Sequence, residues 1–165
     1  MCRVFIGLGG NLGEPLARFL EARQAFENHR QITLVASSPL YRTVPVGGPG
    51  GQPDYLNAVL ELATNLPPLE LLDYCLELER RGGRRREVRW GARTIDIDLL
   101  LVNGLICSTS RLTLPHPHLH ERSFVLQPLS DLAADLIHPR SGRMVSEMLA
   151  CLPRVAGDIQ LQGVW

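Results

Sequence analysis

Apolar residues recur along this chain with two different periods, and the switches between them coincide with glycine and proline. Residues 4–8 form a short apolar strand, and the Gly9-Gly10-Asn11 turn after it leads to Pro15, a residue suited to the first helical position. The spacing of Leu16, Phe19, Leu20 and Phe26 predicts a helix reaching about residue 28, with those side chains as its apolar stripe. Residues 32–41 read as a second strand. Residues 44–53, VPVGGPGGQP, hold four glycines and three prolines, so they form a long loop, neither helix nor central strand. Alternation then predicts a third strand from Tyr55 to Thr64, with Leu56, Ala58, Leu60 and Leu62 toward the core and Tyr55, Asn57, Val59 and Glu61 facing outward.

A second helix opens at Pro67-Pro68, carries Leu69, Leu72 and Leu76 at helical spacing, and ends at Gly82-Gly83. An arginine-dense loop follows, then a fourth strand over residues 95–102 and an Asn103-Gly104 turn into a short segment around Ile106. This order predicts an α+β protein with a ferredoxin-like βαββαβ antiparallel sheet, helices on one face and the other open for loops or ligand. Apolar runs at 124–136 and 144–152 predict additional C-terminal helices that cover part of the open face, and the turn after the fourth strand predicts a short extra hairpin. With no internal repeat, residues 1–165 are expected to form a single domain.

Charge changes the picture. The chain has no formal net charge, yet from Arg80 to Arg93 there are seven arginines against the single acid Glu87, a local excess of +6. This segment runs straight into Asp96 and Asp98, which a strand places on one face while Ile95, Ile97 and Leu99 take the other. Paired carboxylates repel unless a cation joins them, and magnesium is commonly held by one or two carboxylates plus substrate phosphates. Arginine patch and acid pair together point to a small polyanion as ligand. Overall neutrality argues against a general nucleic-acid binder. All 17 basic residues are arginine, which favours bidentate phosphate contacts.

Cys2, Cys75, Cys107 and Cys151 are too scattered for a zinc site or a disulfide framework, and no run of about 18 apolar residues suggests a membrane span, so a cytoplasmic protein is expected. The glycine loop lacks the lysine of a phosphate-binding Walker loop, and residues 7–12 lack the third glycine of a dinucleotide fingerprint. His116, His118 and His120 alternate, but Pro115 and Pro117 interrupt any regular metal-binding strand.

The block Arg89-Trp90-Gly91, Arg93-Thr94-Ile95-Asp96-Ile97-Asp98 resembles the 6-hydroxymethyl-7,8-dihydropterin pyrophosphokinases of folate biosynthesis. The resemblance extends through Gly9 and Asn11, Tyr41-Arg42-Thr43, residues 52–57, Glu79, Gly83 to Arg86, Pro115-His116, Arg122-Ser123-Phe124 and Pro128-Leu129. It implies transfer of the β,γ-diphosphate of ATP to the hydroxymethyl oxygen of a reduced pterin, with release of AMP. It further implies ATP as co-substrate and two Mg²⁺ ions on Asp96 and Asp98, with Arg84 and Arg93 stabilising the reacting phosphates. ATP contacts are implied for Leu72, Glu79, Arg86, Arg89, Trp90, Arg93, Leu99, Arg111, Thr113, His116 and Arg122. Pterin contacts are implied for Thr43, Val44, Val46, Tyr55, Asn57, Trp90 and Phe124, with Trp90 helping to close a lid. No nucleic acid, membrane or obligate protein partner is expected.

The chain departs from the family pattern at Ala92 and Val44, where proline is usual, and at Gly10, where serine is typical, which predicts a looser lid; Pro117 stands where some members carry tyrosine, and the loop over residues 44–53 is slightly longer, which changes its expected contacts with pterin. A ferredoxin-like RNA-binding module is the competing reading. No strand carries its aromatic-rich pattern, and the outward acid pair would repel a nucleic-acid backbone. A pterin-binding paralogue without activity is the other alternative.

Overall fold

In a computed structural model, which describes residues 1–45, 48–83, 93–154 and 158–165, the chain folds around one antiparallel sheet. The elements are β1 (Cys2–Gly10), α1 (Pro15–Glu27), β2 (Ile32–Ser37), β3 (Leu40–Thr43), β4 (Tyr55–Thr64), α2 (Pro68–Arg81), β5 (Asp96–Val102), β6 (Cys107–Ser108), β7 (Thr113–Leu114), α3 (Ser123–Ala133), α4 (Val145–Ala150) and β8 (Ile159–Gly163). The main sheet runs β5-β1-β4-β3-β8, with β2 also pairing β4, while β6 and β7 form the separate hairpin. Leaving β8 aside, this is the strand order of the ferredoxin-like arrangement.

On one face, Val4, Ile6 and Leu8 of β1 and Ala58, Leu60 and Leu62 of β4 pack with Ile97 and Leu99 against α1 and α2. The helical stripes differ from those expected. In α1 the buried residues are Phe19, Ala22 and Phe26, whereas Leu16 and Leu20 are 40% and 46% exposed. In α2 the buried line is Leu71, Cys75, Leu78 and Glu79, not Leu69, Leu72 and Leu76. The leucine-rich helix offers two stripes one residue, or about 100°, apart, and packing chooses the one carrying the smaller Cys75 and the polar Glu79.

The expected second strand is broken. Pro39 has no N–H to give a ladder, so 32–41 divides into β2 and β3. Ser38 repairs the gap: its N–H donates to the Val59 carbonyl at 2.8 Å and its hydroxyl accepts the Val59 N–H at 2.9 Å.

The second face is half covered. Phe5, Val59, Leu100 and Leu101 pack beneath Val125, Leu126 and Leu129 of α3 and Val145 and Met148 of α4. A register shift between Phe5 and Ile6 lets the neighbours Leu100 and Leu101 both reach this layer. Val59 and Glu61 are therefore buried, not outward, and Asn57 is only 5% exposed.

Strand β8 had no recognisable signal in the sequence, because its Leu161 points to solvent and leaves no core-facing pattern. It pairs with β3 and is followed by Trp165, whose ring lies 5.8 Å from Phe19 and whose indole N–H donates to the Ser38 carbonyl at 2.8 Å. Trp165→Ala removes both contacts and should cost about 1–3 kcal/mol, less than a fully buried tryptophan. A urea unfolding midpoint equal to that of the unmodified protein would contradict this anchoring role.

Candidate active site

The uncovered half of the second face is a trough whose shape follows from strand register. Asp96 on β5 lies opposite Gly9 on β1, and Gly9 lies opposite Asn57 on β4; one step along, Asp98, Gly7 and Val59 form a parallel row. Adjacent strands are about 4.8 Å apart, so acid and amide in the first row stand about 10 Å apart with no side chain between them. The trough belongs to a cavity of about 600 Å³.

One wall is anionic. Asp96 and Asp98 both line the cavity, while Ile97 and Leu99 between and beyond them point into the core. Arg93 forms an ion pair with Asp96. Burial works against the Arg93 charge, but Asp96 outweighs it and the guanidinium pKa rises. Strand β5 is the edge of the sheet, and its outer side is used to build the site. The buried Glu79 carboxylate accepts the Ile97 N–H at 2.8 Å, fixing the backbone between the two aspartates.

The Leu100 carbonyl on the same edge accepts the His116 N–H at 2.9 Å, and the imidazole lines the same cavity as the acids. His116 Nδ1 accepts the His118 N–H at 3.2 Å, so the ring proton resides on Nε2. Burial, reinforced by Arg122 and His118, lowers its pKa to about 4. His116 is thus a neutral donor at physiological pH, not a cation.

The other wall is aromatic and polar. Asn57 Nδ2 donates to Thr43 Oγ1 at 2.7 Å, which turns the amide oxygen toward the space above Gly9, where an added Cβ would sit 3.4 Å from it. Phe124 stands at the start of α3, half-buried, with the Arg122 guanidinium 5.7 Å from its ring centre. Tyr55 lines the same wall, and burial raises its phenol pKa despite the nearby Arg93.

Of the residues singled out from sequence, Thr43, Val44, Tyr55, Asn57, Arg93, Asp96, Asp98, His116, Arg122 and Phe124 converge on this cavity. Leu99 does not: its side chain is in the core because it alternates with Asp98. Leu72 sits half-buried on α2, Arg111 is paired with Asp73 of α2, and Thr113 lies in the β6–β7 hairpin, all outside the lining. Val46, Arg84, Arg86, Arg89 and Trp90 lie outside the described residues. Sequence reasoning missed the contribution of Gly7 and Gly9, whose signal was glycine at alternate positions of an otherwise apolar strand.

A family model described as 7,8-dihydro-6-hydroxymethylpterin-pyrophosphokinase matches residues 5–134. The chain belongs to this family. It is 47% identical over 151 residues to the 2-amino-4-hydroxy-6-hydroxymethyldihydropteridine pyrophosphokinase of Pseudomonas aeruginosa, covering 92% of each chain. With the enzyme of the same name from Haemophilus influenzae it shares 41% identity over 149 residues, 90% of this chain and 92% of that one. Its fold is that of a Plasmodium falciparum HPPK-DHPS structure, with a TM-score of 0.68 at 14% identity over 91% of this chain; the chain spans 43% of that larger protein. This pyrophosphokinase transfers diphosphate from ATP to the hydroxymethyl group of 6-hydroxymethyl-7,8-dihydropterin, releasing AMP, in folate biosynthesis.

Two expectations follow for the trough and its histidine. Valine suits a strand and a Cβ at position 9 would meet Asn57 only at ordinary contact distance, while the γ-methyls of valine extend into the gap between acid and amide. Gly9→Val should leave the melting temperature intact while lowering kcat/KM at least about tenfold, or about 1.4 kcal/mol; undiminished kcat/KM would show that the gap is not used.

A folded pKa for His116 of about 4, below the ordinary 6.5, means that the unfolded chain takes up a proton first. Its contribution to stability should be present above pH 6.5 and be lost as pH falls from there toward 4. By NMR its ring resonances should hold the neutral pattern down to pH 5; titration near 6.5 would contradict the assignment.

Proposed function

We propose that the trough is where the two substrates meet, with the ATP phosphates along the Asp96–Asp98 wall and the pterin between Tyr55 and Phe124. The observation that carries this reading is the row Asp96, Gly9, Asn57: metal-type ligands and a heterocycle-reading amide on one rigid sheet, with space between them. Two carboxylates with no third His, Cys, Asp or Glu grouped beside them among the described residues suit Mg²⁺, which takes its remaining oxygens from phosphate and water. Bound there as two ions, Mg²⁺ would neutralise and orient the triphosphate.

The remaining work falls to side chains. Arg93, ion-paired with Asp96, would be available to the phosphate charge if that carboxylate held a metal ion. His116 offers its Nε2–H to a phosphate oxygen without adding charge, and Arg122 adds a cation between the phosphate and pterin sides. Arg84, Arg86, Arg89 and Trp90 would close over the phosphates from the arginine segment, as family resemblance implies. Asn57 presents an acceptor oxygen to the pterin edge while Thr43 holds its amide in place.

The pterin hydroxyl oxygen attacks the β-phosphorus, a new O–P bond forms, the bond from that phosphorus to the α,β-bridging oxygen breaks as AMP departs, and the hydroxyl proton is released to water. No protein nucleophile is required. Cys75, the thiol nearest the acids in charge terms, is buried in the core with its pKa pushed up by desolvation. Positioning and charge neutralisation therefore supply the rate.

One domain spanning residues 1–165 is supported by a sheet whose strands come from both ends of the chain. Four free cysteines suit a reducing cytoplasm.

Incubation with ATP, Mg²⁺ and the hydroxymethyl dihydropterin should yield AMP and the pterin diphosphate in equal amounts; ADP in place of AMP would defeat the mechanism. Asp96→Ala and Asp98→Ala should each lower kcat by about 10²-fold or more with unchanged circular dichroism, the scale of lost transition-state charge stabilisation. EDTA should abolish turnover, and the rate should keep rising with Mg²⁺ after all ATP is complexed. Saturation at one equivalent would limit the site to a single ion.

A further inference from the structure

Asn11 is not among the residues lining the cavity, yet it is 4% exposed and its side chain bonds to both loops that border the site. Its Oδ1 accepts the Arg93 N–H at 2.9 Å, while its Nδ2 donates to Gln52 Oε1 at 3.2 Å and to the Pro53 carbonyl at 3.0 Å. Its own backbone N–H donates to the Arg93 carbonyl at 2.9 Å, so residue 93 is held from both its N–H and its C=O. Gln52 and Pro53 end the glycine-rich loop; Arg93 ends the arginine segment.

The contact closes a ring. Tyr55 O–H donates to Gln52 Oε1 at 3.4 Å and also hydrogen-bonds to Arg93, which is ion-paired with Asp96. A primary amide suits the central position because it offers one acceptor and two donors: a carboxylate could not donate to Pro53, and an apolar side chain would strand buried polar groups.

Close packing reinforces the join. A Cβ at Gly10 would lie 2.6 Å from the Thr94 carbonyl, so glycine there allows the end of β1 to touch residue 94 directly.

We propose that Asn11 is a positioning residue for diphosphate transfer, fixing the root of the arginine segment to the root of the glycine-rich loop and so setting phosphate against pterin. The inference rests on the proposed placement of the substrates in the trough. In-line transfer is sensitive to such registration, since a displacement near 1 Å costs about 10²-fold in rate. Asn11 touches neither substrate; it acts through Arg93, Gln52 and Tyr55.

The test is the single-turnover rate of AMP formation at saturating ATP, Mg²⁺ and pterin, for the full chain and for Asn11→Ala, Gln52→Leu and the double variant. Each single variant should lose about 10- to 100-fold in that rate, with the affinities for pterin and for a nonhydrolysable ATP analogue nearly unchanged. The double variant should be no slower than Asn11→Ala, because that variant already removes the Asn11–Gln52 bond. If Asn11→Ala does not fold, Gln52→Leu, on the loop, carries the rate test alone.

Unchanged single-turnover rates, losses confined to substrate affinity, or fully additive losses in the double variant would overturn the role of Asn11. Failure of the unmodified chain to make AMP would instead overturn the functional reading on which it rests.

Discussion

Antiparallel pairing of β1 with β4 and β5 is the constraint on which the site depends. In such ladders backbone hydrogen bonds fix which residues stand side by side, and a slip of one residue would send every side chain to the other face. The same register that buries Val4, Ile6 and Leu8 against α1 and α2 places Gly7 and Gly9 between the aspartates and the wall carrying Asn57. Core packing and substrate spacing are thus one decision, made by the hydrophobic face and read out on the polar one.

Electrostatics in the trough is arranged as an exchange. Asp96 and Asp98 share the cavity face and Arg93 is ion-paired with Asp96; under the proposed function the carboxylates would take cations and Arg93 would turn to phosphate. His116 contributes a directed N–H without charge, because burial and neighbouring cations keep the ring neutral. Glu79 accepts the Ile97 N–H at the sheet edge, where that group would otherwise lack a ladder partner.

Local signals in the sequence carried far. The period-two run of Tyr55 to Thr64 matches β4, the glycine-proline loop is a loop, and the alternation of Asp96 and Asp98 places both on the cavity face. What escaped was set by partners distant along the chain. The choice between two leucine stripes on α2 depends on Cys75 and Glu79 meeting the sheet, and the burial of Val59 depends on α3 and α4 folding back over β4. Strand β8 follows from pairing with β3, and the bracing role of Asn11 from two loops arriving at one amide. None of these leaves a period or motif in its own stretch of chain.

The central claim, that acid pair and amide flank the two substrates across a glycine floor, is tested most directly by a crystal structure with Mg²⁺, a nonhydrolysable ATP analogue and the hydroxymethyl pterin. The account predicts the β- and γ-phosphates and metal against Asp96 and Asp98, the pterin edge on Asn57 with its ring between Tyr55 and Phe124, and the hydroxymethyl group over Gly9. A pterin bound away from Asn57, or phosphates lying outside the trough above Gly7 and Gly9, would contradict it.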